Sequence, residues 1–463
     1  VFSTVLIANR GEIALRVARS CRELGIRTVA VYSTADRDSA VVRFADEAVH
    51  IGPPPARSSY LNMPAIIEAA RRTGAQAIHP GYGFLSEDPD FAEICEAHGI
   101  TFIGPPPHVM QRLGDKSEAR AVMAAAGLPV LPGSEGALAS PVEAAEIAAR
   151  IGYPVILKAV AGGGGRGMSV VRDPDELAWA YQDTRARARA VFGDERLYLE
   201  RYIDDARHVE VQVLCDRHGG AVHLGERDCS AQRRHQKLVE ESPAPHLPTE
   251  VRDAMCAAAL RGASAVGYVG AGTFEFVVTP EHRFHLLEIN CRIQVEHPVT
   301  EMVTGVDIVR EQLAIAAGAP LAFGQDDVVP RGVAIECRIN AEDPERGFAP
   351  TPGRLTEFVP PGGPWVRIDT HAHEGWTVGP DYDSLLAKAI VWAPDRDQAI
   401  ARAERALSEF RVAGGGVHTT LGFLRRLLAD PVFRAGKHST GLVDTMTSDS
   451  AEVAPLALPE PVS

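Results

Sequence analysis

The chain of 463 residues has no Cys-x-x-Cys pair: its seven cysteines stand singly at 21, 95, 215, 229, 256, 291 and 337, several inside apolar runs. That pattern speaks against a disulfide framework or a cysteine-built zinc site and for reduced thiols. There is no apolar stretch near the ~20 residues that a bilayer span needs, and no basic segment followed by an apolar one at the start. The expectation is a cytoplasmic protein, neither exported nor embedded in a membrane. Positive charge is in deficit too, with a formal net charge of −14, which disfavours nucleic acid as a partner but leaves room for a local basic pocket. Two phosphate-binding signatures are also missing. The first Gly turn carries no GxGxxG, and no Gly-Lys-Ser/Thr closes a Walker A loop, so neither a bound dinucleotide nor a P-loop cradle is indicated.

What is present is ordinary globular usage, 45% hydrophobic and 23% charged, enough for two or three domains with sizeable cores. The opening TVLIANRGEIALRVARSCRELGIRTVAVYS reads as strand, Gly turn, helix with Ile13, Val17, Cys21 and Leu24 at helical spacing, then strand. AQAIHPGYGFLSEDPDFAEICEAHGITFIGP repeats this βαβ theme, so a parallel sheet covered by helices is expected over roughly the first 110 residues. A helix from Leu113 to Gly127 carries Lys116, and another precedes the strand PVILKAV. RHVEVQVLCDRHGGAVHLGERDCS then alternates strands with turns, an α+β pattern. Pro/Gly punctuation in PTPGRLTEFVPPGGP and the amphipathic RDQAIARAERALSEF indicate a further domain. From Thr447 the tail lacks periodicity and is expected to be disordered.

The chemistry concentrates in a few stretches. If FHLLEINCRIQVE is extended, Glu288, Asn290, Arg292, Gln294 and Glu296 share one face, and Leu287, Ile289, Cys291, Ile293 and Val295 the other. A half-exposed strand with a polar outer face would look the same, although Glu and Asn are poor β residues. Glu275, between two Phe in GTFEFVV, joins Glu288 and Asn290 as a hard-oxygen set suited to Mg²⁺. The Gly-rich KAVAGGGGRGMSVV follows a strand and leads into what reads as a returning strand: a lid over phosphates, or a plain flexible hairpin. ERDCSAQRRHQK gathers Gln232, His235 and Lys237 beside an expected anion, or forms a solvated charge run. In GVAIECRINAED, alternation turns Val333, Ile335, Cys337 and Ile339 inward and Glu336, Arg338 and Asn340 outward, making Arg338 a candidate for holding a developing oxyanion. His371 and His373 have metal-like spacing but no Cys or third His nearby.

With these residues in hand, the chain resembles the biotin carboxylase family over about residues 1–445. IANRGEIA, HPGYGFLSE, KAVAGGGGRGM, ERDCSAQRRHQK, RIQVEHPVTE and YDSLLAK occur in that family's order and spacing. The resemblance implies a multidomain α/β and α+β fold. A Rossmann-like pre-ATP-grasp domain would span 1–113 and an ATP-grasp domain 114–330, with a Gly-rich lid over about 131–203. A C-terminal biotin carboxylase domain over 331–446 and a disordered tail over 447–463 would follow. It further implies that Lys116 and Lys158 contact ATP phosphates under Gly164, Gly165, Arg166 and Gly167. Glu200 and Ile203 would grip the adenine end, and His208, Gln232 and His235 would line the nucleotide site. Glu275, Glu288 and Asn290 would hold Mg²⁺ or Mn²⁺. Lys237, Arg292, Gln294 and the Val295 backbone would bind bicarbonate, Glu296 would take its proton, and Arg338 would stabilise the biotin enolate.

The chain departs from the family at Cys291, where relatives usually carry Thr or Pro, and in GGGVHTTLGFL, where a Thr replaces the usual Asn. No Met precedes a Lys, so the Met-Lys-Met biotin attachment motif is missing. The expectation is a stand-alone subunit that carboxylates biotin on a separate carrier protein and works with a carboxyltransferase, as a homodimer. Two other readings stand beside it: an ATP-grasp enzyme joining a carboxylate to an amine, which should lack the Arg292, Glu296 and Arg338 set, and a non-catalytic subunit, which should have lost a metal ligand.

Overall fold

The computed structural model describes residues 1–161 and 167–452. The first sheet has five parallel strands in the order Glu47–Gly52, Arg27–Ser33, Thr4–Ile7, Ala77–His79, Thr101–Phe102. Val5, Leu6 and Ile7 are all fully buried, as befits a parallel strand covered on both faces. The helix Gly11–Glu23 packs Ile13, Val17 and Cys21 inward. Both strand-to-helix turns are tied together, because Asn9 Nδ2 donates to the carbonyls of Pro80 (2.6 Å) and Tyr82 (2.8 Å). Gly81 makes that approach possible: its φ is +64°, and a Cβ there would sit 2.8 Å from Asn9 Nδ2.

An eight-stranded antiparallel sheet forms the centre of the molecule. Its order is Phe284–Asn290, Gly270–Val278, Arg207–Cys215, Ala221–Arg233, Gln236–Ser242, Val333–Asn340, Leu385–Ala393, Val366–Thr370. It runs unbroken across residue 330, because Gln236–Ser242 pairs with Val333–Asn340 in the register Glu240↔Glu336 and Val239↔Cys337. The helix Thr249–Val266 covers one end and Arg396–Glu409 the other. A separate three-stranded sheet, Met168–Val171, Val155–Ala159, Leu197–Arg201, carries the helices Pro141–Ile151 and Pro174–Phe192 and has its own core around Ala144, Leu157, Leu177 and Leu199. The strand expected to return after the Gly-rich stretch is present as Met168–Val171, antiparallel to Val155–Ala159.

Three expectations need correction. The helix expected over 113–127 is broken at Asp115, which caps a new helix, Lys116–Ala125, by accepting from the amides of Ser117 and Glu118. The strand containing Glu288 stops at Asn290, and residues 291–296 form a turn before the helix His297–Thr304. The final helix, Leu442–Glu452, runs through the start of the tail expected to be disordered, while 453–463 lie outside the described residues. Thr447 lacks the apolar periodicity that would announce a helix, but its hydroxyl donates back to the Val443 carbonyl one turn earlier. Among the described residues, no helix is long and apolar enough to cross a membrane.

Candidate active site

A cavity of about 1530 Å³ opens between the three-stranded sheet, the central sheet and the parallel domain. The adjacent strands Gly270–Val278 and Phe284–Asn290 place Glu275 directly opposite Glu288, and Thr273 opposite Asn290. Like charges facing each other across a strand pair are destabilising unless cations attend them. Lys116 Nζ donates to Glu288 (2.7 Å), His208 Nε2 lies 3.0 Å from Glu275, and Lys237 Nζ is 3.3 Å from Glu275. Asn290 and Gln294 also donate their amides to Glu275, at 2.8 and 3.1 Å. Burial raises the Glu275 carboxyl, but Lys237 and His208 outweigh it and leave it below its ordinary value. Lys116 is the main cause of the depression at Glu288. Two ionised carboxylates and an amide oxygen fit a hard divalent cation.

On the edge strand Leu197–Arg201, Glu200 takes Lys158 Nζ at 2.6 Å on one oxygen and Arg120 Nη1 at 2.5 Å on the other. His235 is pushed down by burial and by the neighbouring charges of Lys158 and His208, so its ring is neutral near pH 7.

Deeper in, Glu296 is 1% exposed and held by two cations: Lys237 Nζ at 2.5 Å and Arg338 Nη2 at 2.9 Å. Burial alone would raise Glu296, yet Lys237, Arg338 and Arg227 together hold it well below the usual carboxylate range. Burial likewise opposes the Lys237 ammonium, and the carboxylates Glu210, Glu275 and Glu296 reverse this, keeping it charged. Arg292 donates to Glu87 (2.8 Å), to the Gln294 amide oxygen (2.8 Å) and to Asn290 (3.0 Å). Two cations thus meet one carboxylate, and Arg292 stands on the same wall beside the Glu275–Glu288 pair.

Every described residue to which the resemblance gives a site role lines this cavity except Gly167. Gly167 has φ +69° and packs toward Ala159 and Phe192 instead. Gly164, Gly165 and Arg166 lie outside the described residues. The simple alternation read for 284–296 fails after Asn290, but the turn brings Arg292, Gln294 and Glu296 back to the same wall. On Val333–Asn340 the apolar face is inward as expected, yet the opposite face is not solvent, since Glu336 is fully buried. His371 sits just past the end of a strand, buried edge-on against Trp376.

Sequence reasoning missed four carboxylates or thiols that shape the site. Glu87, at the end of the quoted HPGYGFLSE, binds Arg292 and the Cys291 amide from the parallel domain. Glu210 sits between Arg227 and Lys237, at 2.6 Å from each. Glu240 lies 2.5 Å from Arg338, and Cys229 Sγ is 3.9 Å from Glu296. The signal available for Glu210 and Glu240 was an acid within an apolar strand, as at Glu275.

Three family models match the chain in succession: the biotin carboxylase N-terminal domain over residues 1–110, the ATP-binding domain of the carbamoyl-phosphate synthase L chain over 115–323, and the biotin carboxylase C-terminal domain over 336–445. The chain is 53% identical over 445 residues to a biotin carboxylase of Nostoc sp., covering 96% of this chain and 99% of that protein. Its fold matches the biotin carboxylase of Campylobacter jejuni, solved with a β-γ-ATP ligand, at TM-score 0.93 and 47% identity over 96% of this chain and 99% of that one. It matches the biotin carboxylase domain of a Hydrogenobacter thermophilus 2-oxoglutarate carboxylase, solved as a dimer with MgADP, ADP and bicarbonate, at TM-score 0.94 and 48% identity over 96% and 97%. With these matches spanning nearly the whole chain, the protein belongs to the biotin carboxylase family of ATP-dependent ligases.

Proposed function

We propose that this chain carboxylates biotin at N1′ on a separate carrier protein, using ATP and bicarbonate through carboxyphosphate. The observation that carries this reading is the pairing of Lys237 and Arg338 with Glu296, with Arg292 bonded to Gln294 on the same wall, next to paired carboxylates that suit a phosphate-bound cation. Lys116 and Lys158 meet the ATP phosphates. Glu200 and Ile203 hold the adenine end, and His208, Gln232 and His235 line the nucleotide. Glu275, Glu288 and Asn290 hold Mg²⁺ or Mn²⁺, which when bound neutralises charge on the terminal phosphates.

Bicarbonate lies against Lys237, Arg292, Gln294 and the Val295 backbone. As it does so it draws Lys237 partly off Glu296, which raises the basicity of a carboxylate otherwise held very low. Glu296 then takes the bicarbonate proton, and the carbonate oxygen attacks the γ-phosphorus and expels ADP. Carboxyphosphate breaks down to CO₂ and phosphate, phosphate takes the N1′ proton, and the enolate, held by Arg338, attacks CO₂.

The division into domains 1–113, 114–330 with a lid over about 131–203, and 331–446 is part of this reading, supported by the three matched segments. So are a cytoplasmic location, a homodimer, as described for the Hydrogenobacter counterpart, and a partner carboxyltransferase. We place the chain as the first half-reaction of an acyl-CoA carboxylase of the acetyl- or propionyl-CoA type. The Hydrogenobacter counterpart serves a 2-oxoglutarate carboxylase, so reconstitution with candidate carriers and carboxyltransferases decides the acceptor.

The test of the half-reaction is ADP release with Mg²⁺ and ¹⁴C-bicarbonate, with and without free biotin. Labelled carboxybiotin and biotin-stimulated ADP release are expected. Bicarbonate-independent ADP release with no labelled product, from protein that binds ATP, would overturn the reading.

A further inference from the structure

Lys388 lies on the strand Leu385–Ala393, fully buried, and does not line the cavity. Its ammonium donates to the Val295 carbonyl at 2.6 Å, sits 3.0 Å from Glu12 and lies 4.0 Å from Asp369. Glu12 belongs to the first helix of the parallel domain and accepts a second bond, from the Tyr82 hydroxyl at 2.6 Å. Asp369 faces Lys388 across the strand pair and is itself held by Arg367 at 2.7 Å. One ammonium therefore joins the parallel domain, the far end of the central sheet and the turn 291–296.

That turn has left the sheet at Asn290, so its carbonyls have no ladder partners. A buried carbonyl needs a donor, and a charged donor holds it more firmly than a neutral one. The neighbouring Gln294 carbonyl is met by a neutral donor, His297 Nδ1, at 2.7 Å. Burial works against the ammonium, but Glu12, Glu336 and Asp369 more than compensate and keep it charged.

We propose that Lys388 is a positioning residue: by holding the Val295 carbonyl from behind, it fixes the turn that presents Gln294, the Val295 backbone and Glu296 to the substrate anion. This rests on the reading above that bicarbonate lies on that turn. The alternative is that Lys388 only balances Glu12 and Asp369, and the two make different predictions. Lys388→Met alone leaves buried acids uncompensated and endangers the fold. The double variant Glu12→Gln/Lys388→Met removes one charge of each sign and restores the balance, but not the bond to Val295.

The experiment measures KM for bicarbonate and kcat for ADP release in the double variant, with thermal unfolding and equilibrium ADP binding as controls. The expected result is a folded protein that binds ADP within about 2-fold of wild type but whose kcat/KM for bicarbonate falls by roughly 10-fold or more, the scale on which small misplacements act. Bicarbonate kinetics within 2-fold of wild type would overturn the proposal. If the double variant does not fold, Lys388→Arg decides: it keeps the charge but replaces a point donor by a planar fork. A raised bicarbonate KM with unchanged ADP binding is then expected, and unchanged kinetics would overturn the positioning role. Failure of the underlying reading is visible separately, because wild-type ADP release would then not depend on bicarbonate.

Discussion

Single residues in this protein act through the charges around them. Glu296 is a proposed base held as an anion by Lys237 and Arg338, so Glu296→Ala should lower bicarbonate-dependent ADP release by about 10²–10⁴-fold, the range for a positioned base. ATP affinity should stay close to wild type, and wild-type turnover would remove Glu296 from the mechanism. Arg338→Ala should uncouple the reaction, with ADP still formed but less carboxybiotin per ADP, measured with ¹⁴C-bicarbonate. Glu240 behaves in the opposite sense to Glu296. Burial is the larger effect and Arg338 opposes it, leaving this carboxyl raised from 4.5 to about 7. Its folded form prefers the proton, so its contribution to stability is full below pH 4.5 and is lost as pH rises through about 7. Glu240→Gln should match wild type in thermal stability near pH 5 and exceed it at pH 8, by up to about 3 kcal/mol, the free energy of holding a proton that much more tightly. A difference that stays flat with pH would disprove the protonated carboxyl.

At the scale of elements, the short stretch 132–134 lies along the edge strand Leu197–Arg201 of the three-stranded sheet. Ser134 N donates to the Leu199 carbonyl and Arg201 N to the Pro132 carbonyl, both at 2.8 Å. Gly133 faces Glu200 in this pairing, and a Cβ there would overlap the Leu199 carbonyl oxygen. Gly133→Ala should therefore displace the segment that carries Glu200, raising KM for MgATP several-fold and lowering stability by about 1–3 kcal/mol, as overpacking does. Unchanged ATP kinetics and melting temperature would show that the segment absorbs the methyl group. The same scale explains what was legible in the sequence. The parallel strands and the hairpin around the Gly-rich stretch were readable because both are local, with periodicity and turn residues adjacent in the chain. Two-residue alternation read Glu288 and Asn290 correctly and then failed at Cys291, because nothing in CRIQVE marks the loss of a sheet partner. The carboxylates Glu87 and Glu210 depend on partners some 200 and 17 positions away, Arg292 and Arg227, and such pairings leave no local periodicity.

The molecule as a whole keeps its thiols out of reach. All seven cysteines are free and buried, and burial pushes those at 21, 95 and 215 up to about 12. A thiol needs its thiolate and a path to solvent to react, so the native protein should consume well under one equivalent of a disulfide reagent in minutes and seven after unfolding in urea. Rapid native labelling would mark an opening of the core. The amines follow a different plan. The chain has only five lysines: Lys116, Lys158 and Lys237 line the cavity, Lys388 is sealed behind it, and Lys437 alone is exposed. The outer surface takes its positive charge almost entirely from arginine, so among side chains an amine-directed reagent has one ready handle, outside the cavity wall. Coupling through Lys437 would attach the protein to a support in a single orientation with its cavity untouched, and slower labelling at Lys116 would then report how much of the cavity is filled.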